Sequence, residues 1–237
     1  MKIIKMKEKM ILCFFLFAFA NLSVFAQDKA SSDLEKYLPN VKVTTIEDKE
    51  YLGLAMLPNH ESKEITVMNV KDKEFNTIKS ESIKEVICWH KNNENNKYKL
   101  IYTSIYASTK VEKNDKGSKK KHWLLVTQEN PKLNSYLSAW GYSFNESGEF
   151  VMSAFSMPTP NNTKSPDTYD LYLKKEQDKY PVLIGMDGGG GILFKNSVFR
   201  KRVMDYLSDD PELCKYIETS QSKIENISDV VKRYNPQ

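Results

Sequence analysis

Four consecutive glycines, Gly188 to Gly191, follow the apolar run Tyr180-Pro-Val-Leu-Ile184 and precede a helix-like stretch. Glycine lets backbone N–H groups close on a phosphate where a strand turns into a helix. Such a cradle needs G-x-G-x-x-G, or a loop ending in Gly-Lys-Ser/Thr, inside a parallel βαβ unit. Here Gly191 leads into Ile-Leu-Phe, and the strands before it look antiparallel. The stretch reads as a joint, costly to order because glycine loses the most chain entropy.

Histidine is scarce: His60, His90 and His122. Cys88 and His90 stand two apart, which puts them on one strand face, and with His122 and Cys214 they include the residue types that hold zinc. No spacing among them matches a zinc module, so no metal and no cofactor is expected. A nucleophile elbow, G-x-S-x-G, is absent. The partners of a catalytic serine meet in space rather than in sequence, so that absence weighs little. Carboxylates are plentiful, Glu146, Glu149, Asp167 and Asp170 among them, but nothing fixes the separation that a glycosidase pair requires.

Two features suit recognition better than catalysis. Between Lys110 and Trp123 the chain places six lysines against Glu112 and Asp115, ending in Lys119-Lys120-Lys121. That concentration of charge suits lipopolysaccharide phosphates, acidic glycans or nucleic acid, while the plainer reading is a solvated loop that discourages edge pairing. Tyr136, Trp140, Tyr142 and Phe144 share parity, so an unbroken strand would set them on one sheet face. Such a row stacks sugar rings or, more commonly, fills a core.

These residues must be held by a sheet. From Val41 to Ile184 short alternating runs are separated by turn chemistry, as in Glu47-Asp-Lys-Glu50, Asn145-Glu-Ser-Gly148 and Glu176-Gln-Asp-Lys179. The prolines of residues 158 to 168 cannot donate ladder hydrogen bonds, so that segment reads as loop. Beyond the glycines the period changes. Phe199, Val203, Tyr206 and Leu207 form one helical stripe. Asp210-Pro211 supplies an N-cap and a first-turn proline for a second helix, which turns Leu213, Tyr216 and Ile217 inward. The capping box Ser222-x-x-Glu225 opens a third, with Ile227, Val230, Val231 and Tyr234. The expected fold is α+β: an antiparallel β-rich domain over 30–185, a joint at 186–195, and three short helices packed on the sheet over 196–235.

The tail carries a resemblance. Phe199-Arg-Lys-Arg-Val-Met-Asp-Tyr-Leu-Ser-Asp-Asp-Pro-Glu-Leu213, then Ile217, then Ile227-Ser-Asp-Val-Val-Lys-Arg-Tyr-Asn235, resembles the ending of uncharacterised secreted proteins of Gram-negative bacteria. Those proteins place such helices after a signal peptide and a β-rich body. The resemblance implies export and architecture, and no catalytic residues. In that family a cysteine often precedes the proline; here the position is Asp210, and Cys214 lies four residues on.

The beginning of the chain agrees with export. Lysines precede an apolar run that ends at Val24-Phe25-Ala26, which reads as a signal peptide over 1–26 cut before Gln27. The run is shorter than the roughly 20 residues of a spanning helix. Cleavage lowers the net charge from +4 to about +1, which removes the general basicity that would favour nucleic acid. Cys88 and Cys214 then remain in an oxidising compartment, either as a disulfide or as two small buried side chains. The expectation is a secreted or periplasmic binding or interaction protein whose partner is an envelope glycan or protein. The alternatives are an envelope hydrolase acting on a glycan or ester, and a structural envelope component.

Overall fold

The computed structural model describes residues 38–107, 117–154, 169–187, 197–219 and 227–236. The segment 1–26 expected to be a signal peptide, the lysines before Gly117, residues 158 to 168 with Asp167, Gly188 to Gly191, and Ser222 with Glu225 lie outside them. Alternating apolar side chains build the strands β1 (Asn40–Thr45), β2 (Glu50–Leu54), β3 (Glu64–Met68), β4 (Phe75–Lys79), β5 (Ile83–His90) and β6 (Asn93–Thr103). They continue with β7 (His122–Gln128), β8 (Leu133–Ser138), β9 (Gly141–Phe144), β10 (Phe150–Ser153), β11 (Tyr169–Lys175) and β12 (Val182–Asp187). Ten of these form one sheet in the order β12-β11-β8-β7-β6-β5-β1-β2-β3-β4, and β9 pairs with β10 alone. All of the strand pairs are antiparallel. Three helices follow: α1 (Ser197–Tyr206), α2 (Pro211–Thr219) and α3 (Ile227–Arg233). No helix among the described residues is long and apolar enough to cross a membrane.

Strands β2 and β3 come close together at one glycine. A Cβ on Gly53 would lie 2.1 Å from the Met68 carbonyl oxygen, closer than any side chain tolerates. Strands β2 and β3 accordingly share a single register pair, Leu54 with Met68. Beyond this crossing, Ile65, Val67 and Ile78 join Val41, Val43, Val86, Leu100 and Trp123 in one core. The β9–β10 hairpin contributes Tyr142, Phe144 and Phe150 to it, with Tyr98 stacked on Phe150 at 4.1 Å.

A second core lies beneath the helices. Leu171, Leu173, Val182 and Ile184 meet Phe199, Val203, Leu207, Leu213, Ile217, Val230 and Val231. Helices of 7 to 10 residues do not persist alone, so burial of these stripes is what forms them. A polar clamp fixes their seating. Lys175, almost buried on β11, sets its ammonium 2.7 Å from Asp209, 4.9 Å from the centre of the Tyr206 ring and 5.9 Å from that of Tyr234. Tyr234 donates its hydroxyl to Asp209 at 2.7 Å, and Tyr206 donates to Asp178. Asp210 caps α2 by accepting the Leu213 N–H at 3.0 Å, and its other oxygen accepts the Asn235 N–H at 2.7 Å. The residues that carry the sequence resemblance thus bind one another, since Asp209 and Asp210 hold Tyr234 and Asn235.

Three expectations need correction. The strand over 136–144 is broken: β8 ends at Ser138 and β9 belongs to the other sheet. Tyr142 pins the corner, its hydroxyl accepting the Ala139 N–H at 3.2 Å and standing 3.0 Å from the Trp123 carbonyl. Strand β4 goes unannounced in sequence because Phe-Asn-Thr-Ile-Lys is a short, half-polar edge. The disulfide weighed between Cys88 and Cys214 is absent, both thiols being free. Cys88 lies in the strand core, whereas Cys214 points at the Met204 and Leu207 carbonyls of the helical tail.

Candidate functional site

The β2–β3 connection carries Asn59 to Ser62 against Trp140, Gly141 and Trp123, and these contacts form a seam. Asn59 forms a local turn, its side-chain carbonyl accepting the Glu61 N–H at 2.9 Å and its own N–H reaching Ser62 Oγ at 2.9 Å. His60 N donates to the Trp140 carbonyl at 2.8 Å, Asn59 bridges to Gly141, and Trp123 Nε1 donates to the Ser62 carbonyl at 3.1 Å. Three separate segments are thereby locked side by side.

Side chains that could do chemistry meet at this seam. His60 Nε2 stands 3.0 Å from His122 Nδ1, and His60 Nδ1 stands 3.4 Å from Ser138 Oγ. Ser138 Oγ also lies 3.5 Å from the Trp123 carbonyl. Two proton arrangements satisfy this chain: the Ser138 hydroxyl donates to His60, which donates to His122, or the order reverses and Ser138 donates to Trp123. The first needs both imidazoles neutral, and the second needs His60 neutral. Burial, followed by the charge of Lys120, holds His60 below its usual value. Burial, then His60, Lys120 and Lys63, push His122 down to about 4.

A basic rim surrounds the pair. Lys120 reaches Glu61 at 3.2 Å, Lys121 pairs with Glu81, and Lys63 donates to the Tyr102 hydroxyl at 3.1 Å. Lys119 is exposed and makes no ion pair among the described residues. Trp140, whose carbonyl holds His60, is 47% exposed.

The residues singled out in sequence are therefore divided. Lys120 reaches the seam through Glu61 and Trp140 through its backbone, Lys121 pairs with Glu81, and Lys119 is exposed. Tyr136 is buried with Leu124 and Tyr172 in a small third cluster, Tyr142 is buried in the first core, and Phe144 packs against that core. Broken between two sheets, the aromatic residues form no row. Glu149 is tied to Asn145 and Ser147 in the β9–β10 turn, and Asp170 accepts from Tyr172 at 3.4 Å. His90 lies against the Phe144 ring, and the register shifts between Trp89 and His90. The set Cys88, His90, His122 and Cys214 is not assembled, and no cluster of three or more His, Cys, Asp or Glu among the described residues is placed to hold a metal ion.

In sequence His60 and His122 stand out for the scarcity of histidine, and Ser138 is not singled out. His60 and His122 are 62 positions apart, and His60 and Ser138 are 78 apart. No local spacing announces such a meeting; only the scarcity of histidine hints at it.

The chemistry this arrangement can perform is limited. Acyl transfer needs a hydroxyl that a substrate can reach and a base whose positive charge is stabilised as it forms. Ser138 is wholly buried. The group behind His60 is a neutral imidazole rather than a carboxylate, and Lys63 and Lys120 oppose a proton on it. Lys119, Lys120 and Trp140, by contrast, are exposed. A further hollow of about 520 Å³ on the helical tail, lined by Met204, Asp205, Ser208, Pro211, Cys214, Lys215 and Glu218, includes none of these residues. No family model, curated protein or solved structure matches the chain.

Proposed function

We propose that the protein is an exported, non-enzymatic binding protein that acts in the periplasm or at the cell surface on an envelope glycan or protein. One contrast supports the reading: among the described residues, the hydroxyl that stands beside His60 is that of Ser138, which is buried, while Lys119, Lys120 and Trp140 are exposed. Binding needs an open complementary surface, whereas catalysis needs an open reacting atom. Export rests on the leader-like residues 1 to 26 and on the resemblance of the helical ending to secreted Gram-negative proteins.

The Ser138–His60–His122 chain favours a second reading, an ester or glycan hydrolase. One paired experiment separates the two. The protein is assayed for saturable binding on a glycan array and to envelope components, and for hydrolysis of aryl esters and glycosides before and after Ser138→Ala. The binding reading predicts saturable capture and no turnover. Turnover that disappears in Ser138→Ala would overturn it.

A further inference from the structure

We infer that a second copy of this chain adds along strand β4, antiparallel and about a twofold axis at Thr77, so that two sheets join into one. The surface is separate from the seam and does not depend on what the seam binds. The argument starts from the backbone groups that β4 leaves open. The β3–β4 ladder runs without a register shift. At its two ends the Asn69 N–H donates to the Glu74 carbonyl at 2.9 Å and the Ser80 N–H to the Lys63 carbonyl at 2.7 Å. Hydrogen-bonded pairs alternate along an antiparallel ladder, so between these ends they are Val67 with Asn76 and Ile65 with Ile78. The N–H and C=O groups of Phe75, Thr77 and Lys79 therefore point away from β3, and β4 is the last strand of the sheet. The opposite edge differs. Tyr106 bridges β12 there, its N–H donating to the Pro181 carbonyl at 2.8 Å and its carbonyl accepting the Leu183 N–H at 2.8 Å.

A second copy fits this edge because the edge is complementary to itself. With Thr77 facing its own counterpart, each Phe75 stands opposite the other copy's Lys79, and every outward N–H on one strand meets an outward carbonyl on the other. Moving the axis to Asn76 or Ile78 leaves Lys79 or Phe75 without a match inside the strand. The side chains favour the same register. Lys79 is the only charge in Phe-Asn-Thr-Ile-Lys, and it faces a ring rather than itself, so no like charges are set opposite. Leu54 pairs with Met68 and Met68 with Phe75, so an apolar row crosses the sheet and ends at the edge, where Phe75 is 65% exposed. The other copy's Lys79, whose ammonium makes no ion pair among the described residues, lays its aliphatic stem on that row. Neither proline nor bulge, the devices that ordinarily blunt an edge, interrupts β4. Pairing uses the open edge of both chains, so the assembly closes at two.

Sedimentation equilibrium of the full chain, as cells produce it, tests this across protein concentration. The mass should rise from one chain to two and stop there. Thr77→Pro removes only an outward N–H, which an edge strand tolerates, and should weaken the dimer at least about tenfold while leaving the melting curve of the monomer in place. Phe75→Lys sets two lysines opposite each other at an exposed position and should weaken it similarly; adding Lys79→Glu sets lysine opposite glutamate and should restore the dimer to within about threefold of wild type. Val151→Ser, exposed on β10, should change nothing. Hydrogen exchange at the Phe75, Thr77 and Lys79 amides should slow as concentration rises. A single-chain mass at every concentration up to about 1 mM would overturn the inference. So would a dimer that survives Thr77→Pro, a charge reversal that fails to restore it, or a mass that climbs past two chains. Protection of those three amides that requires added envelope extract, at unchanged concentration of this chain, would assign the edge to a different protein and equally overturn it.

Discussion

Replacing Lys175 with methionine keeps the aliphatic stem and deletes the charge at the centre of the clamp that seats the helices. In the wild type the ammonium sits 2.7 Å from Asp209, with side-chain exposures of 10% and 35%. Burial works to raise the Asp209 carboxyl, but hydrogen bonds from Lys175 and Tyr234 outweigh it and hold the group below its usual range. Breaking a buried pair costs roughly 3–5 kcal/mol, and because Asp209 is a third exposed we expect about 2–3 kcal/mol. For a chain of this length that corresponds to a Tm lower by roughly 5–10 °C. The sign with pH follows from the depressed carboxyl: its contribution is full above about pH 3.8 and is lost as pH falls through the folded value. The gap between wild type and Lys175→Met, followed by circular dichroism, should therefore close in acid. The double variant with Asp209→Asn should cost at least about 1 kcal/mol less than the two single losses added. A Lys175→Met protein that melts within about 1 °C of wild type at pH 7, or a double variant whose losses simply add, would refute the clamp.

Gly148 has φ +82° at the β9–β10 turn, and a Cβ there would lie 2.5 Å from His90 Nδ1. Gly148→Ala should cost about 1–3 kcal/mol in urea unfolding, and a neutral result would mean that His90 yields freely. The lowered pKa of His122 makes stability full above about pH 6.5 and progressively lost as pH falls towards about 4, by roughly 1–2 kcal/mol after allowance for solvent screening. His122→Asn should flatten unfolding free energy against pH in that window, and an unchanged slope would count against the neutral pair. Burial pushes the Cys88 thiol up to about 12, while Cys214 is half-buried. Ellman's reagent should therefore modify Cys214 in the native protein and Cys88 only on unfolding. Denatured protein should give two thiols if the chain is cut after Ala26 and three if Cys13 is retained; fewer than two would restore the disulfide.

Much of the architecture is readable without coordinates because it rests on local period. His122 to Gln128 alternates and is β7; Phe199, Val203, Tyr206 and Leu207 recur at helical spacing and are α1; Asp210 precedes Pro211 and caps α2. What period cannot convey is a long-range meeting. Gly53 looks like any strand glycine, yet a Cβ there would meet the Met68 carbonyl, and nothing local in the sequence brings His60 to His122 and Ser138. Parity likewise assumes an unbroken strand, and the Tyr142 hydroxyl at the Ala139 corner is what separates Tyr136 from Tyr142 and leaves Trp140 in solvent. The lysines were legible as charge, but their neighbours were not.

The claim on which the account turns is that ligands are received at the seam and not elsewhere. Nuclear magnetic resonance of ¹⁵N-labelled protein titrated with an envelope glycan captured on the array measures this directly. The Trp140 indole N–H and the amides of His60, Lys120 and His122 should shift saturably, while Asp205, Cys214 and Lys215 around the helical hollow stay still. Shifts confined to those helical residues, or a seam that never moves at saturating ligand, would contradict it.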